Sequence, residues 1–369
     1  MNENYVTLGQ VCAKGSSNIA QKDLAEREGQ YPIYGAAGLI KNVDFAHQKQ
    51  SYIAVVKDGA GIGRVMKLPA YSSVIGTMQY IFPKENVDID YLFYALQHMN
   101  LGKYFSGSTI PHIYFRDYQK ERLKLPVMEV QQRQADTLSR IDALSAYGQR
   151  QIALMDEIVK SRFVEMFIGK NYSRKTVDEV SLGKGEYGAQ SASAEYTPDR
   201  PRYVRITDIN DDGTLNNDVV SSINHSDDDQ YRLRYGDFLF ARMGATVGKT
   251  YAFREGNQIY AGYLIRYKLD LTQIHPLYLF WYTRLNEYWD WVKLNQSGAA
   301  QPGINAKKFG SLRIPVPPID IQNRFVAFVA EVDKSKFRIQ KSLSTSRKLW
   351  TMAQIDAIMN MDFSTQRSL

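Results

Sequence analysis

Five blocks of this sequence occur twice in the same order, about 190 residues apart. The glycine-rich block Lys57–Arg64 returns as Arg242–Lys249, Tyr91–Tyr94 as Tyr278–Trp281, Ser106–Ile113 as Ser297–Ile304, Leu123–Val127 as Leu312–Val316, and Gln131–Arg133 as Gln322–Arg324. The offset between the copies stays between 185 and 191 residues. Solenoid repeats have periods of roughly 20 to 50 residues, so this longer period indicates a duplicated domain. A protein with two similar heads most simply binds a target that has two similar halves.

The composition is that of a folded, moderately basic protein. Apolar residues make up 44% of the chain and aromatic residues 12%, which is enough for hydrophobic cores. The net charge of +7 suits a polyanionic partner, although a basic protein without such a partner would have the same charge. The single cysteine, Cys12, excludes an intrachain disulfide. The first ten residues lack a signal-peptide pattern and no apolar run reaches membrane-spanning length, so we expect a cytoplasmic protein.

Two regions, residues 1–126 and 170–316, combine short apolar runs with frequent glycines, a pattern typical of strands joined by turns. We name them the first head and the second head. In the first head, strands are predicted at Ser51–Lys57, Ser73–Phe82 and Leu123–Val127, and a helix at Ile89–Gln97. In the second head, strands are predicted at Tyr203–Asp208, Phe238–Arg242, Thr250–Arg254 and Tyr263–Leu269, and a helix at Pro276–Leu294.

A segment with helical periodicity follows each head, at residues 127–169 and 317–369. Apolar residues spaced by three, four or seven predict amphipathic helices over 129–168 and 319–360. A helix of about 40 residues is roughly 60 Å long and cannot bury its apolar face alone. We therefore expect the two helices to form an antiparallel coiled coil. The predicted fold class is α+β, with two similar mixed α/β domains separated by two long helices.

Several motifs resemble catalytic or metal sites but lack a required element. Gly244–Thr250 has three residues between its glycines where a phosphate-binding loop needs four, and a strand-like segment follows it. Asp208–Gly213 begins like a calcium loop, but Val219 occupies the position of the bidentate glutamate. The five histidines have no metal-site spacing. A catalytic site assembled from distant residues would leave no such motif, so an enzyme remains an open alternative.

The repeated residues also carry a family resemblance. Tyr203–Ile209, Gly236–Arg242, Gly244–Lys249 and the exit Leu312–Pro318 resemble a target-recognition domain of a type I restriction-modification specificity subunit. Tyr31–Ile40 and Asp58–Gly61 of the first head resemble a sister version of that domain. The resemblance covers nearly the whole chain and includes the order of its parts. The first head departs from it at Met128–Glu129, which replace the two prolines of the second exit.

The resemblance implies a DNA-reading protein without catalytic activity of its own. Each head would recognise one half of a bipartite double-stranded site, and the helices would set the gap between the halves. Two methyltransferase subunits that modify adenine N6 would dock on the chain, and restriction subunits are further expected partners. No cofactor is expected in this chain, because S-adenosylmethionine, ATP and magnesium would belong to the partner subunits. No membrane association is expected.

A head that reads DNA needs cations for phosphates and polar side chains for base edges. We name the blocks Lys57–Arg64 and Arg242–Lys249 the glycine turns, and we predict DNA contacts from the cation at each end, namely Lys57, Arg64, Arg242 and Lys249. The alternative interpretation is that the glycines only form turns and that these cations line a solvated rim.

A second repeated loop offers further DNA-contacting candidates. Its polar residues are Ser108, Thr109 and His112 in the first head, and Gln301 and Asn305 in the second. Gln and Asn can pair bidentately with adenine, and Ser or Thr can bond to several base edges. Lys307, Lys308, Arg205 and Tyr34 complete the predicted DNA-binding set. The alternative is an ordinary polar connection in which Asn305 caps the local backbone.

Four apolar residues near the helix ends are candidates for docking partner subunits: Phe163, Phe167, Trp350 and Met359. Packing within the chain is the alternative for each. A third function class is an adaptor whose heads bind protein. Salt-insensitive protein binding without retention of DNA would favour the adaptor, whereas methylation or cleavage of DNA by the isolated chain would favour the enzyme.

Overall fold

A computed structural model of the chain describes residues 5–107, 111–223, 229–298 and 302–358. The chain divides into two compact units. The first contains the described parts of Met1–Gln151 and Ile339–Leu369, and the second contains those of Ile152–Arg338. Each unit therefore combines one head with a segment of both long helices.

The first unit contains nine strands and three short helices among its described residues. The strands are β1 (Tyr5–Thr7), β2 (Cys12–Ser16), β3 (Tyr31–Gly35), β4 (Gly38–Val43), β5 (Tyr52–Val56), β6 (Val65–Leu68), β7 (Ser73–Val74), β8 (Met78–Pro83) and β9 (Arg122–Lys124). The helices are α1 (Leu8–Val11), α2 (Ile89–His98) and α3 (Phe115–Tyr118). The carboxylate of Asp88 accepts hydrogen bonds from the backbone amides of Asp90 and Tyr91, which caps α2 at its amino end.

The second unit repeats most of this order of elements. Its described strands are β10 (Arg174–Thr176), β11 (Glu186–Tyr187), β12 (Ser193–Glu195), β13 (Arg202–Val204), β14 (Ser221–Ile223), β15 (Asp237–Ala241), β16 (Thr250–Ala252), β17 (Gln258–Tyr260), β18 (Leu264–Lys268) and β19 (Arg313–Pro315). Its short helices are α5 (Pro276–Tyr282), α6 (Asn286–Asn295) and α7 (Ala306–Gly310).

Three strand arrangements recur in both units, whereas β4 of the first unit and the β12-β14 pair of the second have no equivalent among the described strands. A four-stranded antiparallel sheet has the order β2-β8-β5-β6 in the first unit and β11-β18-β15-β16 in the second. The antiparallel pair β1-β9 corresponds to β10-β19, and the parallel pair β3-β7 corresponds to β13-β17. The central strands β5 and β15 are buried along their whole length, since both faces of the sheet are covered.

Three predicted elements are interrupted in the structure. The strand predicted at Ser73–Phe82 is two strands, β7 and β8, separated by a turn at Ile75–Thr77. The strand predicted at Tyr203–Asp208 ends at Val204 and continues as a 3₁₀ turn. The helix predicted at Pro276–Leu294 is divided into α5 and α6, because Leu285 adopts an extended conformation between them.

Two 40-residue helices, α4 (Met128–Phe167) and α8 (Ile319–Ile358), follow the heads. In the second unit Asp156 forms an ion pair with Lys336, and the Phe163 ring lies 5.2 Å from that of Phe325. Residue numbers rise along one helix as they fall along the other, so the pair is antiparallel. In the first unit, Gly148 of α4 faces Leu343 of α8. The predicted fold class, with its antiparallel helix pair, is confirmed.

A buried glutamine joins each long helix to its head. The Gln131 side-chain oxygen accepts from the amide of Asp88 (2.9 Å), and its NH₂ group donates to the carbonyls of Asn86 (3.0 Å) and Pro126 (2.8 Å). Gln322 repeats the arrangement. Its side-chain oxygen accepts from the amide of His275 (2.9 Å), and its NH₂ group donates to the carbonyls of Gln273 (2.9 Å) and Pro317 (2.8 Å). We name this arrangement the glutamine clamp.

Candidate nucleic-acid interface

The glycine turn of the first unit connects β5 to β6 and is closed by backbone hydrogen bonds. The amide of Val56 donates to the carbonyl of Arg64 (2.9 Å), and the amide of Gly63 donates to the carbonyl of Val56 (2.8 Å). Gly63 has φ +80°, and a Cβ atom there would lie 2.3 Å from the backbone nitrogen of Gly102. Glycine is therefore required at this position by both its φ angle and the available space.

The glycine turn of the second unit, between β15 and β16, has the same hydrogen bonds. The amide of Ala241 donates to the carbonyl of Lys249 (2.8 Å), and the amide of Gly248 donates to the carbonyl of Ala241 (2.9 Å). Gly248 also has a positive φ of +88°. Here the strand β16 follows the turn, as predicted, where a phosphate-binding loop would begin a helix.

The second repeated loop is fastened against the glycine turn in both units. In the first unit, the amide of Gly59 donates to the carbonyl of Pro111, and the amide of Ile113 donates to that of Lys57, each at 2.9 Å. In the second unit, Gly244 donates to Pro302 (3.0 Å) and Ile304 to Arg242 (2.9 Å). The sequence showed that the two blocks recur, and the structure shows that they form one surface in each head.

The loop itself is closed at its base in both units. Ser106 and His112 exchange two backbone hydrogen bonds of 2.8 Å, and Ser297 and Gly303 exchange two of 3.0 and 2.9 Å. We name these segments, Ser106–His112 and Ser297–Gly303, the closed loops. Three of the predicted DNA-contacting residues within them, Ser108, Thr109 and Gln301, lie outside the described residues.

An ion-pair cluster joins the turn and the closed loop of the first unit. The Nδ1 atom of His112 lies 2.7 Å from the Oδ1 atom of Asp58, and the ammonium of Lys57 pairs with the other carboxylate oxygen. Partial burial acts to raise the pKa of Asp58, but the hydrogen bonds from His112 and Lys57 outweigh it and hold that pKa below the ordinary value of 3.8. Asp58 therefore stays ionised and neutralises Lys57.

Arg64, at the far end of the same turn, is exposed and donates to the carbonyl of Ala36 at 2.7 Å. In the second unit the guanidinium of Arg242 lies over the Tyr187 ring, 4.8 Å from its centroid. The ammonium of Lys249 pairs with Asp211 at 2.8 Å. The four predicted turn cations therefore have different chemical surroundings.

The other predicted DNA-binding residues have contacts within the chain. Arg205 forms an ion pair with Asp208 (2.8 Å). The side-chain oxygen of Asn305 accepts from the Lys308 amide (2.9 Å) and so caps α7, which was the alternative interpretation of this residue. The Lys308 ammonium donates to the carbonyl of Asn295 (2.8 Å), whereas Lys307 is exposed. Tyr34 is partly buried against the core around β5 and β8.

Two predicted docking residues are buried inside the second unit. Phe163 is 0% exposed and Phe167 is 1% exposed, and both pack with Tyr278 and Phe325. Neither side chain offers surface to a partner, because Tyr278 of α5 and Phe325 of α8 pack against them. Trp350 is partly buried against the core of the first unit, and Met359 lies outside the described residues.

Several residues of this surface were not predicted from the sequence. Tyr187 lies under Arg242 although it is far from the turn in sequence. Tyr114 is 45% exposed beside the first closed loop, with the guanidinium of Arg116 4.8 Å from its ring centroid. Tyr114 occupies the position of Asn305 at the repeat offset of 191, so the alignment of the two copies could have identified it.

Within the described ranges, no three His, Cys, Asp or Glu side chains come together as metal ligands would. Across the part of the chain with defined coordinates, every helix is too short or too polar to cross a membrane.

Comparisons with known proteins identify the class to which this fold and surface belong. Residues 2–154 and 184–346 match the model of the family described as type I restriction modification DNA specificity domain. The two matches fall on the two copies of the repeat and cover most of the chain. The chain therefore belongs to this family, and the predicted family resemblance is confirmed.

Individual relatives agree with this assignment. The specificity subunit of the type I restriction enzyme EcoprrI of Escherichia coli is 26% identical over 145 residues. That match covers 38% of this chain and only 36% of the length of that curated relative. The crystal structure of a type I restriction-modification S subunit from M. genitalium has a TM-score of 0.62 at 15% identity, covering 98% of this chain and 97% of that one. A chain from a structure of a type I R-M system has a TM-score of 0.56, also at 15% identity, with 97% and 98% covered. These likenesses establish a shared fold.

Proposed function

We propose that this chain is the specificity subunit of a type I restriction-modification complex, in which each head reads one half of a bipartite double-stranded DNA site. The observation that supports this most is the duplicated surface itself. The same turn and closed loop, fastened by equivalent hydrogen bonds, occur once in each unit. The two copies differ in the side chains that they carry, as two readers of different half-sites require.

The chemistry of the complex would belong to other subunits. Two methyltransferase subunits would bind S-adenosylmethionine and modify adenine N6, and restriction subunits would use ATP and magnesium to act on unmodified DNA. The chain itself would hold no cofactor and catalyse no reaction, and the complex would work in the cytoplasm. Membership of the family supports this division of labour, and the basic charge of +7 suits a DNA partner.

Coexpression with a cognate methyltransferase subunit, followed by genome-wide mapping of N6-methyladenine, tests the proposal. We expect methylation at a single motif made of two short specific sequences separated by a gap of fixed length. The matched control is the methyltransferase subunit expressed without this chain, which should leave the motif unmodified. Methylation at a continuous motif, or the same motif in the control, would contradict the proposal.

The isolated chain separates the proposal from the two other function classes. We expect the purified chain to bind duplex DNA with an affinity that falls steeply as salt rises, because each neutralised phosphate contributes about −0.9 to the slope of log K against log[salt]. Methylation or cleavage of DNA by the chain alone would indicate an enzyme. Salt-insensitive binding to a protein, with no retention of DNA, would indicate an adaptor.

A further inference from the structure

Each glycine turn has a cation at both ends, and the two cations of a turn have different partners. We name Lys57 and Arg242, which directly follow the central strands β5 and β15, the entry cations. We name Arg64 and Lys249, which directly precede β6 and β16, the exit cations. The hydrogen-bonding of the two turns is the same, so each pair of cations starts from an equivalent backbone position.

At the entry position, the cation is neutralised in the first head and not in the second. Lys57 pairs with Asp58, the next residue in the chain. The repeat places Met243 where Asp58 stands, and Arg242 instead lies against the Tyr187 ring with its Nη2 atom 3.4 Å from the Met243 sulfur. Among the residues with described positions, no carboxylate lies within 4.0 Å of Arg242, and its buried Nε–H has no hydrogen-bond acceptor.

At the exit position, the cation is neutralised in the second head and not in the first. Lys249 pairs with Asp211 at 2.8 Å, and its ammonium also lies 3.4 Å from the carbonyl of Ile209. Arg64 is exposed and bonds to the neutral carbonyl of Ala36. In the described ranges it has no carboxylate partner. Each turn thus carries one lysine that is neutralised by an aspartate and one arginine that is not.

We infer that each head presents only one of its two turn cations to DNA, at opposite ends of the turn: Arg64 in the first head and Arg242 in the second. This inference rests on the proposed function, since it assigns the DNA contacts of the same surface. The ion-paired Lys57 and Lys249 are positioning residues: Lys57 binds the Asp58 carboxylate that also contacts His112, and Lys249 joins its turn to Asp211. The backbone of the turn is therefore the same in both heads, but the unpaired positive charge lies at opposite ends of it.

The physical reason is that a lysine paired with a carboxylate adds no net charge to the surface. Moving such a lysine onto a phosphate leaves the aspartate beside the DNA, so the gain in attraction is offset by repulsion. An arginine without a carboxylate partner adds a full positive charge. Its planar group of donors can also bind a phosphate or a guanine edge in a bidentate manner. Among the described residues, the acceptor of the Arg242 guanidinium is the Met243 sulfur, a weak one, so the terminal amino groups can exchange it for such a partner.

The test compares neutral variants in the full chain, using a duplex that contains its mapped site. Arg64→Met and Arg242→Met each remove one unpaired cation. The double variants Lys57→Met with Asp58→Asn and Lys249→Met with Asp211→Asn each remove an ion pair without changing the net charge. Arg133→Met and Arg324→Met remove an exposed charge from the long helices and control for the loss of one positive charge. Thermal unfolding verifies that each variant is folded.

We expect Arg64→Met and Arg242→Met each to reduce the slope of log K against log[salt] by about 0.9, the contribution of one phosphate contact. If the arginine reads a base instead, the slope is retained and discrimination at one half-site falls by about tenfold or more, as loss of a bidentate base contact predicts. The ion-pair variants and the helix controls should keep the wild-type slope and discrimination.

The inference would be overturned if the ion-pair variants lost slope or discrimination, or if neither arginine variant differed from the helix controls. Arg242→Lys separates the effect of charge from that of geometry, because it keeps the positive charge and removes the planar group of donors. A wild-type chain that shows no salt-dependent duplex binding would refute the proposed function itself. Steep wild-type binding with unaffected arginine variants would refute only this inference.

Discussion

Replacing Gln131 with leucine removes an amide to which three backbone groups of the first unit are bonded. These are the Asp88 amide and the carbonyls of Asn86 and Pro126, at 2.8 to 3.0 Å, and the glutamine is 1% exposed. Leaving a buried backbone group without a partner costs about 1 to 3 kcal/mol. Because water can reach some of the three groups, we expect Gln131→Leu to lower the free energy of unfolding by about 2 to 4 kcal/mol.

For a unit of this size, each kcal/mol shifts the melting temperature by about 2 to 4 °C, so the first unit should melt roughly 5 to 15 °C lower. Hydrogen exchange locates the effect. The Asp88 amide should lose protection, because Gln131 is its acceptor and its exchange then requires only local opening. Differential scanning calorimetry and hydrogen-exchange mass spectrometry of the segment around residue 88 measure the two quantities.

The adjacent residue provides a matched control. Gln132 has the same side chain on the same helix but is exposed, so Gln132→Leu should change stability by less than about 0.5 kcal/mol. Equal melting temperatures and equal exchange at residue 88 for the two variants would refute the role assigned to the glutamine clamp.

Three further predictions follow from the first unit. Gly63→Ala should lower the stability of the first unit more than Gly59→Ala does, as measured by thermal unfolding. Both glycines have φ near +80°, but only a Cβ at residue 63 would approach another backbone, 2.3 Å from the Gly102 nitrogen. Equal losses of stability would contradict this reasoning. The pKa of Asp58 lies below 3.8, so its ionised form should stabilise the fold above that pH and the contribution should vanish as pH falls through the folded pKa. An NMR titration midpoint for the Asp58 carboxyl at or above 3.8 would refute it. Burial raises the pKa of the Cys12 thiol to about 12, so iodoacetamide should modify Cys12 only after unfolding, and rapid labelling of the native chain at pH 8 would contradict the burial.

The duplication made much of the fold predictable from the sequence. The long helices, the central strands and the glycine turns are each marked by periodicity or glycine, and each mark appears twice. The break between α5 and α6 was not predictable in this way. At this break the buried hydroxyl of Thr283 bonds to that of Thr250 on a neighbouring strand, and such a tertiary contact leaves no local signal.

The site was predictable as a set of segments rather than as a set of contacts. The sequence placed cations at the turn ends and polar residues in the loops, but it could not show which carboxylate each cation meets. Asp58 follows Lys57 directly, whereas Asp211 reaches Lys249 from a distant segment. Gln131 likewise stands in a repeated block, yet a glutamine in a long polar helix is normally on the surface. For Phe163 and Phe167 the sequence left docking and packing within the chain both open, and only the folded chain shows that they are buried.

Exchange of one head tests the central claim, that each head reads its own half of a bipartite site. Residues 170–316 would be replaced with the corresponding head of another family member, coexpressed with the cognate methyltransferase subunit, and the methylated motif mapped. The account predicts that one half of the motif changes while the other half and the gap are retained, because residues 1–126 and both long helices are untouched. A motif that changes in both halves, or in neither, from a chimera that folds and directs methylation would contradict it.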